Sequence, residues 1–74
     1  MSPTPSLKLP LSSSLLESLT YALDATLELR FHSGAVYRYF LVPPAIVCGL
    51  LAAPSKGAFF NQHLRTRFRY QRLA

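Results

Sequence analysis

Thr26-Leu27-Glu28-Leu29-Arg30-Phe31-His32-Ser33-Gly34-Ala35-Val36-Tyr37-Arg38-Tyr39 is the stretch that decides the fold. Leu27, Leu29 and Phe31 alternate with Glu28 and Arg30, the period of two that places one strand face on a core and the other in water. Val36 to Val42 carries the aromatic and β-branched residues that suit a pleated, half-buried surface. Between the two runs, His32-Ser33-Gly34 fits a three-residue hairpin loop: a type I turn whose last position needs positive φ and therefore glycine. That register sets Phe31 opposite Ala35, Leu29 opposite Tyr37 and Leu27 opposite Tyr39. It also faces Glu28 with Arg38, a favourable cross-strand ion pair on the other side of the sheet. A two-residue Ser33-Gly34 loop would set Leu29 against Arg38 and bury a charge beside a leucine. The three-residue loop is preferred, and it turns Tyr37 and Tyr39 toward the face of Leu27 and Leu29.

Upstream, Leu15 to Leu23 has Leu19, Tyr21 and Leu23 alternating with polar or small residues, which predicts another strand closed by a turn at Asp24-Ala25. Residues 1–11, with Pro3, Pro5 and Pro10, read as a flexible Pro/Ser-rich leader, leaving 12–74 as a single domain. Downstream, Pro43-Pro44 ends the sheet and suits the first turn of a helix, along which Ile46, Val47, Leu50 and Leu51 form an apolar stripe. Pro54 stops that helix. Ser55 is a candidate N-cap for a second, short one carrying Phe59, Phe60, His63 and Leu64. Gly57 is read as permitting close packing. The segment after Leu64 admits both geometries. A strand would put Arg65, Arg67 and Arg69 on one face, and a helix would align Arg65, Arg69 and Arg72. The expected architecture is α+β: a three-stranded antiparallel meander, a helix packed on one face, a short second helix and a basic C-terminal segment.

Composition narrows the function classes. The 74 residues hold one small domain near the lower size limit of a single core. Half are hydrophobic, which excludes a disordered basic tail. The longest apolar run, Ala45 to Ala53, is well short of the roughly 20 residues of a membrane span. Cys48 alone makes no intrachain disulfide and is expected to be a buried, inert thiol in a reducing cytoplasm. The charge is polarised: Glu17, Asp24 and Glu28 are the only acids, and seven Lys/Arg follow Leu29 with no acid among them. Such one-sign surfaces concentrate counter-charged partners.

Catalysis and metal chemistry find little support. The three carboxylates fall near turns or on the wet sheet face, not as a facing pair. Ser12-Ser13-Ser14 has no base nearby and reads as turn chemistry. Two separated histidines and one distant cysteine make no metal site, and no glycine-rich phosphate loop is present. No cofactor is expected. Tyr37 and Tyr39 at i and i+2 have the layout on which an RNA-binding sheet stacks bases, but the hairpin register favours a core position. The strongest feature is the ending, Arg65-Thr66-Arg67-Phe68-Arg69-Tyr70-Gln71-Arg72. Arginine suits bidentate phosphate contact and stacking, and Phe68 and Tyr70 add planar faces. Lys56 and His63, beside the second helix, and Arg38, on the wet face, complete the candidate binding set.

The order Ser13-Ser14, Leu16, Leu19-x-Tyr21, then Leu27-x-Leu29-x-Phe31-x-x-Gly34-x-x-Tyr37-x-Tyr39 resembles the KTSC domain. So do Val42-Pro43, Leu50-x-x-Ala53-x-Ser55-x-Gly57-x-x-Phe60-Asn61 and Arg65-x-x-Phe68-x-Tyr70. The resemblance covers about residues 12 to 72. The domain takes its name from the C-terminus of some lysyl-tRNA synthetases and also occurs as a small free-standing bacterial protein. Where relatives carry Gly-Tyr-Asp near the end of the first strand, this chain has Thr20-Tyr21-Ala22 and lacks the acid. The resemblance implies a non-enzymatic RNA-binding domain, with tRNA among the candidate ligands. A module docking an acidic or apolar protein surface is the alternative.

Overall fold

The computed structural model describes residues 6–74. Their order is β1 (Ser6–Pro10), β2 (Leu16–Ala22), β3 (Leu27–Phe31), β4 (Val36–Tyr39), α1 (Pro44–Ala52), α2 (Lys56–His63) and β5 (Tyr70–Arg72). The strands form one antiparallel sheet in the order β1-β2-β3-β4-β5, and both helices lie between β4 and β5 in the chain. The class is α+β as expected, but the sheet has five strands among the described residues where three were anticipated.

The central hairpin forms in the expected register. Leu27 pairs with Tyr39, Glu28 with Arg38 and Leu29 with Tyr37. The Phe31 N–H donates to the Ala35 carbonyl and the Gly34 N–H to that of Phe31, with Gly34 at φ 96°. Arg38 and Glu28 approach to 3.7 Å on the outer face. Both remain partly exposed, so the pair is worth at most about 1 kcal/mol.

The two additional strands come from the segments left outside the sheet. Ser6–Pro10 is no flexible leader: it pairs with β2, setting Leu9 against Leu19 and Leu7 against Tyr21. Residues 1–5 of that leader lie outside the described residues. Leu7 and Leu9 keep the alternation that β2 requires, a pattern obscured by prolines on either side. At the far edge, Tyr70–Arg72 pairs with β4, flanked by Phe40 N–H to Arg69 carbonyl and Leu73 N–H to Val36 carbonyl bonds. Without β5, one side of β4 would present unpaired backbone groups.

β2 also departs from simple alternation. Its register shifts between Leu16 and Ser18, so Glu17 is an extra residue. This bulge lets Leu16 and Leu19, three apart, both reach the core. Ser13 sets up the entry, its hydroxyl accepting from the N–H groups of Leu15 and Leu16.

Both helices cover the face carrying Leu19, Leu27, Leu29, Phe31 and Tyr39 and bury it under Val47, Leu50, Phe60 and Leu64. Leu16, Leu19, Leu27, Leu29, Leu50, Leu64 and Val42 are wholly buried. Each contributes roughly 1.5–3 kcal/mol of transfer free energy. In α1 the stripe narrows to Val47 and Leu50, with Ile46 partly buried and Leu51 at the surface. Cys48 lies on the outer face of α1 and is exposed, against the expectation of a buried thiol. Ser55 caps α2, its hydroxyl accepting from the Ala58 N–H.

The tightest glycine is Gly49, where a Cβ would come 2.7 Å from Cζ of Phe59, so that the Phe59 ring would have to shift to admit any larger residue. At Gly57 a Cβ would meet Leu15 Cδ2 at 3.4 Å, an ordinary contact.

Candidate functional site

The return of β5 beside β4 builds an aromatic cleft. Tyr70 pairs with Tyr39 and Arg72 with Tyr37, so all four side chains share the helix-covered face. Helices cover only part of it. Tyr70, 53 % exposed, packs its ring against Tyr37 at 5.7 Å and Tyr39 at 5.6 Å between centroids. Tyr37 meets Phe31 edge-to-face at 5.5 Å, and Phe60 meets both Phe31 (5.2 Å) and Tyr39 (6.0 Å). These rings floor a cleft of about 670 Å³, whose remaining wall includes Asn61, Arg65, Thr66 and Phe68. That volume lies inside the range of roughly 300–1,000 Å³ typical of small-ligand pockets.

Electrostatically the cleft is one-sided. Arg65 stands at its wall and the Arg72 guanidinium lies over the Tyr37 ring, 5.7 Å from its centroid. No carboxylate is among the lining residues. Tyr39 is 2 % exposed, and this burial first, then its tyrosine neighbours Tyr37 and Tyr70, push its hydroxyl up to about 12 from an ordinary 10.0. The phenol therefore stays neutral at physiological pH and can donate a hydrogen bond. Because the folded value exceeds the unfolded one, the associated stability is complete below pH 10 and declines as pH rises toward 12. Stability measured across that alkaline window should fall in the parent, and fall less steeply in Tyr39→Phe. Identical slopes in the two proteins would show that another group titrates.

A second cavity of about 800 Å³ adjoins the first at the end of the sheet, lined by Asp24, Thr26, Phe40, Leu41, Arg67, Phe68 and Arg69. Phe68 lines both cavities and packs partly on the core, so it belongs to the boundary they share. Leu41 holds the left-handed conformation at φ 57°, a strained backbone for leucine. Asp24 lies below the ordinary carboxylate range because the Thr26 side chain and N–H donate to it. It is the one acid on this lining.

The sequence-derived binding residues thus divide. Arg65, Phe68 and Tyr70 line the aromatic cleft, and Arg72 lies against Tyr37 on the same sheet face. Arg67 and Arg69 belong to the second cavity. The basic segment is neither a continuous strand nor a helix: a turn follows Leu64, and only Tyr70–Arg72 is extended in the sheet.

Three residues lie elsewhere. Lys56 donates to the Ala53 carbonyl at 3.2 Å, closing the end of α1. His63 packs on Phe59, 4.4 Å between ring centroids, along α2. Arg38 projects from the opposite sheet face toward Glu28. Sequence reading did not place Phe31, Phe60, Asn61 and Thr66 in the site. The one available signal was the hairpin register, which had already turned Tyr37 and Tyr39 toward the helices.

Among the described residues no group of three His, Cys, Asp or Glu could hold a metal ion, and no helix is long and apolar enough to cross a membrane.

The KTSC domain model matches residues 12–68, from the turn before β2 through the cleft-lining Phe68. The chain belongs to the KTSC domain family. It is 46% identical over 68 residues to an uncharacterized protein of Stutzerimonas stutzeri strain A1501, covering 89% of this chain and 96% of that one. It is also 45% identical over 49 residues to a lysine–tRNA ligase of Nostoc punctiforme. That match covers 66% of this KTSC chain but only 9% of the ligase, so the chain spans under a tenth of that relative's length. Among solved structures, a KTSC domain protein from Yersinia pestis superimposes with a TM-score of 0.88 at 28% identity, covering 95% of this chain and all of that one.

Proposed function

We propose that this KTSC domain binds RNA, without catalysing a reaction, through the surface formed by its C-terminal segment and β4. The reading rests on one observation: arginines and packed aromatic rings converge on a cleft whose lining contains no carboxylate. Arginine meets phosphate in a planar, bidentate manner, and every base offers a π face to an aromatic ring. The match to a lysine–tRNA ligase makes tRNA a natural first ligand to try, and a cytoplasmic location accords with that choice.

Titrating an RNA oligonucleotide into the protein while following backbone amide shifts, at several salt concentrations, tests the proposal. Shifts should gather on Arg65 to Arg72, Tyr37 and Tyr39. The logarithm of the affinity should fall linearly with the logarithm of salt, because each neutralised phosphate releases counterions. Shifts confined to α1 or to the Glu28–Arg38 face, or an affinity indifferent to salt, would refute it.

One observation favours a protein-docking reading through a different surface. The exposed residues of α1 are Pro44, Ala45, Cys48, Leu51 and Ala52, an uncharged helix face on a chain of net charge +5. Amide shifts on that face with a protein ligand in nuclease-treated material, and none on the basic segment, would favour it.

A further inference from the structure

We infer that the aromatic cleft receives a single unstacked nucleobase, so that the RNA recognised is single-stranded at the point of contact; this rests on the RNA-binding reading above. Four features of the cleft carry the inference. Its rings present more than a smooth apolar wall: Tyr70 stands 53 % exposed at the sheet edge, backed by Tyr37 and Tyr39. A base laid against Tyr70 would meet a face already braced by two further rings. Polar side chains share the lining: Asn61 and Thr66 on the wall and Tyr39 at the floor supply hydrogen-bond donors and acceptors for a base edge.

The charges set the polarity of the ligand. Arg65 on the wall and Arg72 over Tyr37 favour a planar group that carries a phosphate, whereas a cationic group would meet two like charges and no acid in this lining. Phe68 then supplies the spacing. It lines both the cleft and the neighbouring cavity bearing Arg67 and Arg69, so a base held in the cleft would have those arginines within reach of its adjoining phosphates.

Duplex RNA cannot satisfy this arrangement. Its bases are stacked and their edges lie in the grooves, so only a loop, bulge or free end can present a base to a cleft. Backbone contacts alone would treat paired and unpaired RNA alike.

The test compares a single-stranded octamer of uridine, a single-stranded octamer of adenosine and a blunt duplex of equal phosphate number at one low salt concentration. The parent should bind the single strands at least tenfold more tightly than the duplex. It has no tryptophan, so the quenching of tyrosine fluorescence by a stacked base can be followed directly. Tyr70→Ala should lose roughly 5- to 150-fold in single-strand affinity, the range measured for one stacked base, and leave duplex binding unchanged. Tyr70→Phe should retain the single-strand affinity. Thermal melts of both variants report whether the exposed ring was also structural.

Equal binding of single strand and duplex, unaffected by Tyr70→Ala, would overturn the base cleft while leaving RNA binding intact. Failure of all three RNAs to bind would overturn the RNA reading itself.

Discussion

Phe60→Ala should lower the melting temperature by roughly 15–30 °C, or leave the chain without a cooperative transition. Phe60 is the one buried residue of α2 and is 6 % exposed. Its ring packs edge-to-face on Phe31 from β3 and on Tyr39 from β4, so it ties the second helix to two central strands. Removing a buried phenylalanine ring costs about 3–5 kcal/mol through lost transfer free energy and the cavity left behind. A domain of this size commonly has no more than about 3–5 kcal/mol in hand. The same ring floors the cleft, so any folded fraction should bind RNA more weakly as well. Thermal and urea unfolding followed by circular dichroism would measure the effect. A shift below about 5 °C would mean that the sheet holds the fold without α2.

The second large effect concerns affinity alone. Replacing Arg65, Arg67, Arg69 and Arg72 together by alanine should weaken RNA binding by about two to three orders of magnitude at 0.1 M salt. All four side chains are exposed, so the fold should survive. For a single strand, each phosphate contact contributes roughly 0.7 to the slope of log affinity against log salt, so four contacts remove up to about 3 from that slope. Arg38→Ala is the internal comparison. It deletes one cation of equal charge from the opposite face, where Glu28 already offsets it, and should change affinity less than about twofold. A loss in log affinity from Arg38→Ala as large as a quarter of that from the fourfold substitution would show that net charge, and not the cleft surface, governs binding.

The hairpin was readable because its determinants are local. Gly34 tolerates the positive φ of the loop, and the loop length then dictates which residues of β3 and β4 face each other. Ser55 was readable as a cap for the same reason: its partner, the Ala58 N–H, is three residues away. Other features depended on distant partners. Leu7 and Leu9 alternate over too short a stretch, between prolines, to announce a strand until β2 is there to pair with them. Leu16 and Leu19 cannot both face the core of a regular strand, and only the bulge at Glu17 reconciles them. The close fit at Gly49 arises from the Phe59 ring on the next helix. Cys48 sits in an apolar run, yet the narrow contact of α1 with the sheet leaves it outside.

By itself the sequence determined the α+β class, the central register, the basic ending and the family likeness. All of these follow from residues that act on their immediate neighbours or from charge, which needs no geometry. Tertiary structure decided how the basic ending is used. Pairing of Tyr70–Arg72 with β4 brings Tyr70 onto Tyr37 and Tyr39 and separates Arg65 and Arg72 from Arg67 and Arg69. That choice lay with backbone hydrogen bonds across thirty residues of intervening chain, as the Tyr39–Tyr70 pair shows. A strand so short gains its stability from the edge it completes and not from its own propensity.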